Sequence, residues 1–272
     1  MSATVDADTF YLHSYHAFDR ACWQQALAGV SQRLQDDALF AWLVRQLADA
    51  DLGALEDLDQ PSTVEEKIAQ LDNDPLACYV ATQIARQALP AEAQEIPGSA
   101  AQFGTAAVVY SGDLSVAEEL TVAEGVLLIG GELRATALTV ASSATLVVLG
   151  ELRCAALRCA GGLICGANLW GGAIVLTGHS PLAIGGELTA ELVIAKDRVL
   201  AARGLSVARW IGAADGIGLD ALLSDSLFDN HGEIDVVALA LATKDNRPLL
   251  STMQQNGPGA IDTPNWCKLP AR

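Results

Sequence analysis

Residues 126–163 read VLLIGGELRATALTVASSATLVVLGELRCAALRCAGGL, and this stretch decides the fold because it repeats itself. The phrase Gly-Glu-Leu occurs at 131–133 and again at 150–152, and related phrases continue before and after it. A short, fixed period that is rich in β-branched and aliphatic residues is typical of a chain wound into stacked, near-identical coils.

One leucine follows each of these glycine phrases and marks the same point of successive coils. The spacings between these leucines are 19, 19, 17, 19 and 17 residues. The leucines are Leu114, Leu133, Leu152, Leu169, Leu188 and Leu205. Equivalent residues of stacked strands lie above one another, so we predict that these six form an apolar ladder inside the coils.

Each period holds three short apolar pieces, which indicates three strands per coil. We therefore predict an α+β protein with a central single-stranded parallel β-helix, a β-solenoid of about six coils of 17–19 residues. With strands about 4.8 Å apart, six coils make a rod roughly 29 Å long. The glycines are expected at corners, where a positive φ is inexpensive for glycine.

Helical patterns flank the repeat on both sides. Apolar residues recur every three or four positions over 22–35, 36–58, 61–71 and 74–89, and two shorter helices are expected near 219–228 and 233–243. Asp36 or Asp37, Ser62 or Thr63, and Asp74 stand where helix N-caps are expected. We predict an acidic α-helical domain at 1–100, the β-solenoid at 101–218, and a C-terminal helical cap with an irregular tail at 219–272. The helices are expected to cover the rod ends, because open strand edges promote aggregation.

The charge of the chain restricts its partners. The net charge is −17, and residues 1–100 hold 16 acidic and 5 basic residues. Such acidity disfavours nucleic acid and anionic membranes and favours a basic protein partner. Residues 159–186 carry no charged side chain, but eight glycines and the repeat itself argue against a membrane span.

The start of the chain lacks the basic and apolar regions of a secretory signal, so we predict a cytoplasmic protein. Its six cysteines are then expected to be reduced thiols. They include no Cys-x-x-Cys pair, so the spacing of zinc and thioredoxin-like sites is missing.

A search for catalytic patterns favours a protein without catalytic residues, metal or cofactor. There is no Gly-Lys-Ser or Gly-Lys-Thr phosphate loop and no Gly-x-Ser-x-Gly elbow. On a helix, His13, His16 and Asp19 would share one face and could bind a metal, although ordinary surface residues are the preferred interpretation. His179 is interpreted as a turn residue rather than a catalytic base.

The repeat resembles the bactofilins, a family of polymer-forming cytoskeletal proteins. The resemblance covers about residues 104–212 and rests on the recurring GEL and LTV phrases. It implies a right-handed β-helix of about six short coils that polymerises through its exposed ends. The chain departs from bactofilins, which usually carry only short disordered tails, in its large acidic N-terminal region. That addition argues against filaments.

Acidic side chains are concentrated in the N-terminal region within two dozen residues. They are Asp36, Asp37, Asp49, Asp51, Glu56, Asp57 and Asp59. On a rigid support they would form a negative patch that speeds association with a basic partner. The preferred hypothesis is a non-catalytic protein-binding protein, specifically a bacterial immunity protein that neutralises a basic toxin. The alternatives are a bactofilin-like scaffold that self-associates, and an enzyme of the solenoid acyltransferase or metal hydrolase type.

Overall fold

The computed structural model describes residues 9–47, 52–56, 61–104, 107–195, 200–212, 223–230, 234–245, 247–249 and 266–270. In these ranges the helices are α1 (Arg20–Leu34), α2 (Ala38–Gln46), α3 (Gly53–Glu56), α4 (Val64–Ala69), α5 (Pro75–Ala88) and α6 (Val236–Lys244), with a 3₁₀ turn at Asp225–Leu227. The strands are β1 (Phe10–Tyr11), β2 (Gln94–Ile96), β3 (Ala100–Gln102), β4 (Ala107–Tyr110), β5 (Leu114–Val122), β6 (Gly125–Ile129), β7 (Leu133–Val140), β8 (Ala144–Val148), β9 (Leu152–Cys159), β10 (Gly162–Cys165), β11 (Leu169–Leu176), β12 (Leu182–Ile184), β13 (Glu187–Ala195), β14 (Leu200–Ala202), β15 (Gly204–Gly212) and β16 (Trp266–Lys268).

The strands form two parallel sheets that wind together as one solenoid. The first sheet has the order β1-β3-β5-β7-β9-β11-β13-β15, with β2 also paired to β5. The second has the order β16-β14-β12-β10-β8-β6-β4. Neighbours in each sheet are two strands apart in the chain, as expected when each coil adds one strand to each sheet. The predicted α+β fold with a central β-solenoid of about six coils is confirmed.

The six predicted ladder leucines stand in register. Leu114 pairs with Leu133, and Leu133 pairs with Leu152. The pairing continues through Leu169 and Leu188 to Leu205. The first five are at most 1% exposed, whereas Leu205 on the last strand is only partly buried. The ladder therefore forms a continuous apolar column in the core inside the rod.

The first two apolar pieces of each coil are one bent strand rather than two separate strands. Pairing between β7 and β9 includes Ala135 with Cys154 and Ala137 with Ala156, but skips the residue between them. We name the part before this bend side 1, the part after it side 2, and the shorter strand of the second sheet side 3. In the coil of Leu133, side 1 is Leu133–Ala135, side 2 is Ala137–Val140 and side 3 is Ala144–Val148.

The described helices lie along the sides of the rod rather than at its ends, which corrects the expectation that they act as end caps. Outward residues of side 3, such as Leu128 and Val147, share a core cluster with α1, α2, α4 and α5. Outward residues of side 2, such as Ala156 and Val175, share another with α6. The reason is the composition of the strands: side 3 is apolar on both faces, so both faces must be buried.

Short strands, rather than helices, extend the rod at its ends. At one end β1 pairs with β3, and the backbone N–H of Val109 donates to Ser14 Oγ at 2.8 Å. At the other end β16 pairs with β14, and Leu269 is buried beside it. Within the described residues, the outer edges of β1 and β15 have no strand partner. The outer edge of β2, which pairs with β5, is unpaired as well, so in the described part of the chain the long sheet exposes β1 and β2 at one end and β15 at the other.

Several helix starts follow the predicted caps. Asp37 caps α2, Thr63 and Glu66 form a capping box on α4, and Asp74 caps α5. The predicted helix over 36–58 is divided, because α2 ends at Gln46 and α3 is a separate turn. Of the predicted helix at 219–228, residues 219–222 lie outside the described residues and 225–227 form only the 3₁₀ turn.

The role expected for the corner glycines is corrected. Among the described glycines, only Gly104, Gly125 and Gly178 have a positive φ. Most corner glycines instead lie where the backbones of successive coils come too close for a Cβ atom. Tight stacking between coils, rather than turn conformation, requires glycine there.

Candidate binding surfaces

Side 1 presents an outward row of side chains that no described helix covers. The row consists of Ser115, Arg134, Arg153, Trp170, Thr189 and Ser206, which stand in register on neighbouring strands. Trp170 is 40% exposed. We call this row, with the bend beside it, the open face. It is the surface that the packing of helices on sides 2 and 3 leaves accessible.

Sequence reasoning missed this row, although the signal was present. Each member directly follows a ladder leucine, and none of them is aliphatic. Apart from Thr145 and Lys268, every position in the strands of side 3 is apolar or glycine, as in 126–129. A strand in which apolar and polar residues alternate has one exposed face, whereas a strand that is apolar throughout has both faces covered. This contrast distinguishes side 1 from side 3.

Charged and aromatic side chains are arranged on the open face by the strand register. Arg134 Nη2 lies 2.8 Å from Glu132 Oε2, and Arg153 Nε donates to Glu151 Oε2 at 3.0 Å. The Arg153 guanidinium carbon lies 5.7 Å from the ring centroid of Trp170 on the next coil. A cation placed over an indole face is attracted by the ring quadrupole. The centre of the face is therefore a connected Arg–Glu–Trp platform.

The ionisation of Glu151 reflects this connection. Hydrogen bonds from Arg153 and then from Asn168 hold the pKa of its carboxyl below the usual range. Asn168 Nδ2 donates to Glu151 Oε1 at 3.2 Å. Glu151 is consequently a charged acceptor that already has two partners at neutral pH.

The bend between sides 1 and 2 forms a groove along the rod. Its volume is about 1080 Å³, and its lining includes every member of the side 1 row, from Ser115 to Ser206. Its floor carries small side chains, including Ala135, Cys154 and Gly171. A ligand lying there would contact several coils at once.

The predicted acidic patch is only partly within the described residues. Asp36 and Glu56 are exposed. Asp37 caps α2 and accepts a hydrogen bond from the Tyr79 hydroxyl at 2.7 Å, so its carboxylate has a structural role. Asp49, Asp51, Asp57 and Asp59 lie outside the described residues. The patch stays a prediction, and the open face carries none of its members.

A second exposed surface lies at the N-terminal end of the rod. Phe10 and Tyr11 on β1 are 44% and 57% exposed, and Tyr15 in the same segment is 77% exposed. The rings of Tyr11 and Phe103 are 6.1 Å apart. We call Phe10, Tyr11, Tyr15 and Phe103 the aromatic end. Tyrosine and phenylalanine are enriched at protein interfaces, so this end has the chemistry of a contact surface.

The histidines singled out from the sequence do not form the expected face. α1 begins at Arg20 with Asp19 as its cap, so His16 and Asp19 do not share a helix. His16 Nδ1 instead lies 2.6 Å from Glu65 Oε1, and the Ser14 hydroxyl donates to the same oxygen at 2.7 Å. In the described ranges no three His, Cys, Asp or Glu side chains are grouped to hold a metal. His179 is exposed in the turn between β11 and β12.

The thiols near the open face are buried. Burial raises the pKa of Cys154 and of Cys165 to about 12. A thiolate is the nucleophilic form of cysteine, so neither thiol is activated at neutral pH. Cys154 on the groove floor therefore packs as a small apolar side chain.

Comparison with known proteins gives no relative. No protein-family model, curated protein or solved structure matches this chain. In the part of the chain that the structure describes, no helix has both the length and the apolar character needed to cross a membrane.

Proposed function

We propose that this chain is a non-catalytic protein-binding protein, and specifically a bacterial immunity protein that neutralises a basic toxin by binding it. The observation that carries the proposal is the aromatic end, attached to a molecule of net charge −17. Four exposed rings supply the anchors that dominate interface energies. The excess of carboxylates over the whole chain supplies the field that attracts a basic partner.

The acidic helical region supports a basic partner. Residues 1–100 have a net charge of −11, from 16 acidic and 5 basic residues. Asp36 and Glu56 are exposed there. A field of one sign raises the association rate with an oppositely charged protein, and this effect weakens as salt increases.

The test is binding to a basic protein encoded beside the gene of this chain. We expect a one-to-one complex by light scattering, an affinity that falls with salt, and protection of cells that express the toxin. Asp36→Lys with Glu56→Lys, and separately Phe10→Ser with Tyr11→Ser, should weaken both binding and protection. Val237→Ser is the control for the aromatic variant, because Val237 is 39% exposed on α6 along another side. Unchanged binding in both double variants would reject these surfaces as the contact.

A second candidate is a bactofilin-like scaffold that assembles end to end. It is supported by the open outer edges of β1 and β15 among the described residues. Unpaired edges of parallel strands are templates for pairing with another chain. This candidate requires assembly that grows with concentration and is lost in Val207→Lys on β15. A single species with the mass of one chain at every concentration would reject it.

A further inference from the structure

The open face has the shape and chemistry of a site for an elongated ligand. Its outward row crosses six neighbouring strands of the first sheet, and the groove beside it has a volume of about 1080 Å³. The row is in register, so its side chains meet a ligand along the rod at a regular spacing of about 4.8 Å per coil. A linear ligand with a repeating unit matches such a surface better than a compact ligand does.

The charges of the open face select against ionic ligands. Arg134 and Arg153 are each paired with a glutamate two residues earlier in the chain, so the centre of the face is close to neutral. Asp113, Glu187 and Glu191 border the same face and make no salt bridge to another described residue. An anionic chain would meet these carboxylates and the net charge of −17, and would be repelled.

A basic peptide is also a poor match for the centre of this face. The carboxylates of Glu132 and Glu151 already accept hydrogen bonds from arginines, so an incoming lysine would compete with existing partners. The face presents side chains rather than a strand edge, so a peptide cannot extend the sheet there by main-chain hydrogen bonds. Neither charge pairing nor main-chain hydrogen bonding is therefore readily available to a peptide at the centre of this face.

The remaining chemistry suits hydroxyl groups and a flat apolar surface. The paired arginines are held in place and offer their remaining N–H donors, while Thr189 and Ser206 add hydroxyls that can donate and accept. Trp170 is 40% exposed, with the Arg153 guanidinium on its ring. A sugar ring has hydroxyls around its rim and a C–H face that can pack on an indole. We propose that the open face binds a linear, uncharged oligosaccharide lying along the rod.

This inference is independent of the proposed protein partner, because it concerns another surface. The test is isothermal titration of the full chain with neutral linear oligosaccharides of glucose, N-acetylglucosamine, mannose and xylose, each in several lengths. We expect one linkage class to bind, with an affinity that rises with length and then levels off once the groove is filled. Trp170→Ala should weaken binding about tenfold or more, as loss of an interface anchor does.

Two further variants keep the test decisive. Thr189→Arg places a large side chain in the groove and should also abolish binding, whereas Tyr15→Ala at the aromatic end should leave it unchanged. Melting curves should show that the three variants fold, since all three side chains are at least partly exposed. The proposal is overturned if no neutral glycan binds, if sulfated glycans or basic peptides bind better, or if Trp170→Ala binds like the native chain.

Discussion

Gly185 lies so close above Gly166 of the preceding coil that a Cβ on Gly185 would stand 2.2 Å from the Gly166 carbonyl oxygen. The backbone N–H of Gly185 donates to the carbonyl of Cys165 at 2.7 Å, which fixes this approach. Gly166 stands in the same relation to Leu149 one coil earlier. Glycine therefore permits the close approach at Gly166 and Gly185, whereas the equivalent residue of the coil before them is Leu149.

Gly185→Ala is expected to destabilise the fold by about 2 kcal/mol or more, because backbone atoms cannot move away as a side chain would. Gly98→Ala is the matched control, since a Cβ there meets nothing within 4 Å. The measurement is the free energy of unfolding in urea. Equal effects of the two substitutions would contradict the stacking role of Gly185.

Leu152→Ala should destabilise the solenoid by about 2–5 kcal/mol, because it removes a fully buried ladder residue and leaves a cavity. Leu205→Ala makes the same chemical change on the last ladder position, where the side chain is only partly buried. We expect less than half the effect there. Denaturation curves of the two variants, compared at the same temperature, check the difference.

Glu65→Gln should loosen the attachment of the N-terminal segment. Glu65 is 8% exposed, accepts from the backbone N–H of His16 at 3.0 Å and from the Ser14 hydroxyl, and Ser14 in turn accepts from Val109. Weakening a buried acceptor of this kind costs about 1–3 kcal/mol. Faster hydrogen exchange at Val109 would report the loss, whereas Glu124→Gln at an exposed position should change nothing.

The cysteines should differ sharply in reactivity. At pH 8, a pKa of about 12 leaves roughly one Cys154 or Cys165 thiol in ten thousand ionised. Cys267 is exposed and should react first with a maleimide, and Cys267→Ser should remove that fast phase. Mass spectrometry of the native and the unfolded chain identifies the labelled residue. Rapid labelling of Cys154 in the native chain would show that the groove floor is not packed as described.

The same thiols predict a pH dependence of stability. Their folded pKa lies above the unfolded value of about 8.5, so ionisation favours the unfolded chain. Their contribution to stability is complete below about pH 8.5 and declines as the pH rises toward 12. Replacing both Cys154 and Cys165 with alanine should reduce this alkaline loss in urea denaturation series at pH 8 and pH 10.5. If the double variant loses as much stability between pH 8 and pH 10.5 as the native chain does, these two thiols are not the cause of the alkaline loss.

The ladder was predictable because each leucine follows a recognisable phrase at a regular spacing. Leu133 and Leu152 are equivalent by local sequence alone, and the register pairs them. The caps of α2, α4 and α5 were predictable for the same reason, since a cap depends on a few adjacent residues. The position of the helices was not predictable in this way, because the contact of α6 with Ala156 joins residues far apart in the chain.

The candidate surfaces likewise depend partly on local sequence and partly on the tertiary structure. Arg134, Arg153 and Trp170 occupy equivalent repeat positions, but their proximity depends on stacking coils at the correct register. The interpretation of His16 as a potential metal ligand depended on a helix that begins only at Arg20. Its actual neighbour, Glu65, is separated from it by 49 residues.

The sequence by itself determined that the chain winds into a β-solenoid, because the period and the alternation of apolar residues act within each coil and between adjacent coils. Only the tertiary structure decided which sides of the rod are covered and which remains open. That outcome depends on where distant helices find apolar surface to bury, as α5 does on side 3 and α6 on side 2. The free energy of burying apolar area does not depend on which part of the chain supplies the covering surface. The local sequence pattern therefore does not specify where a distant helix packs.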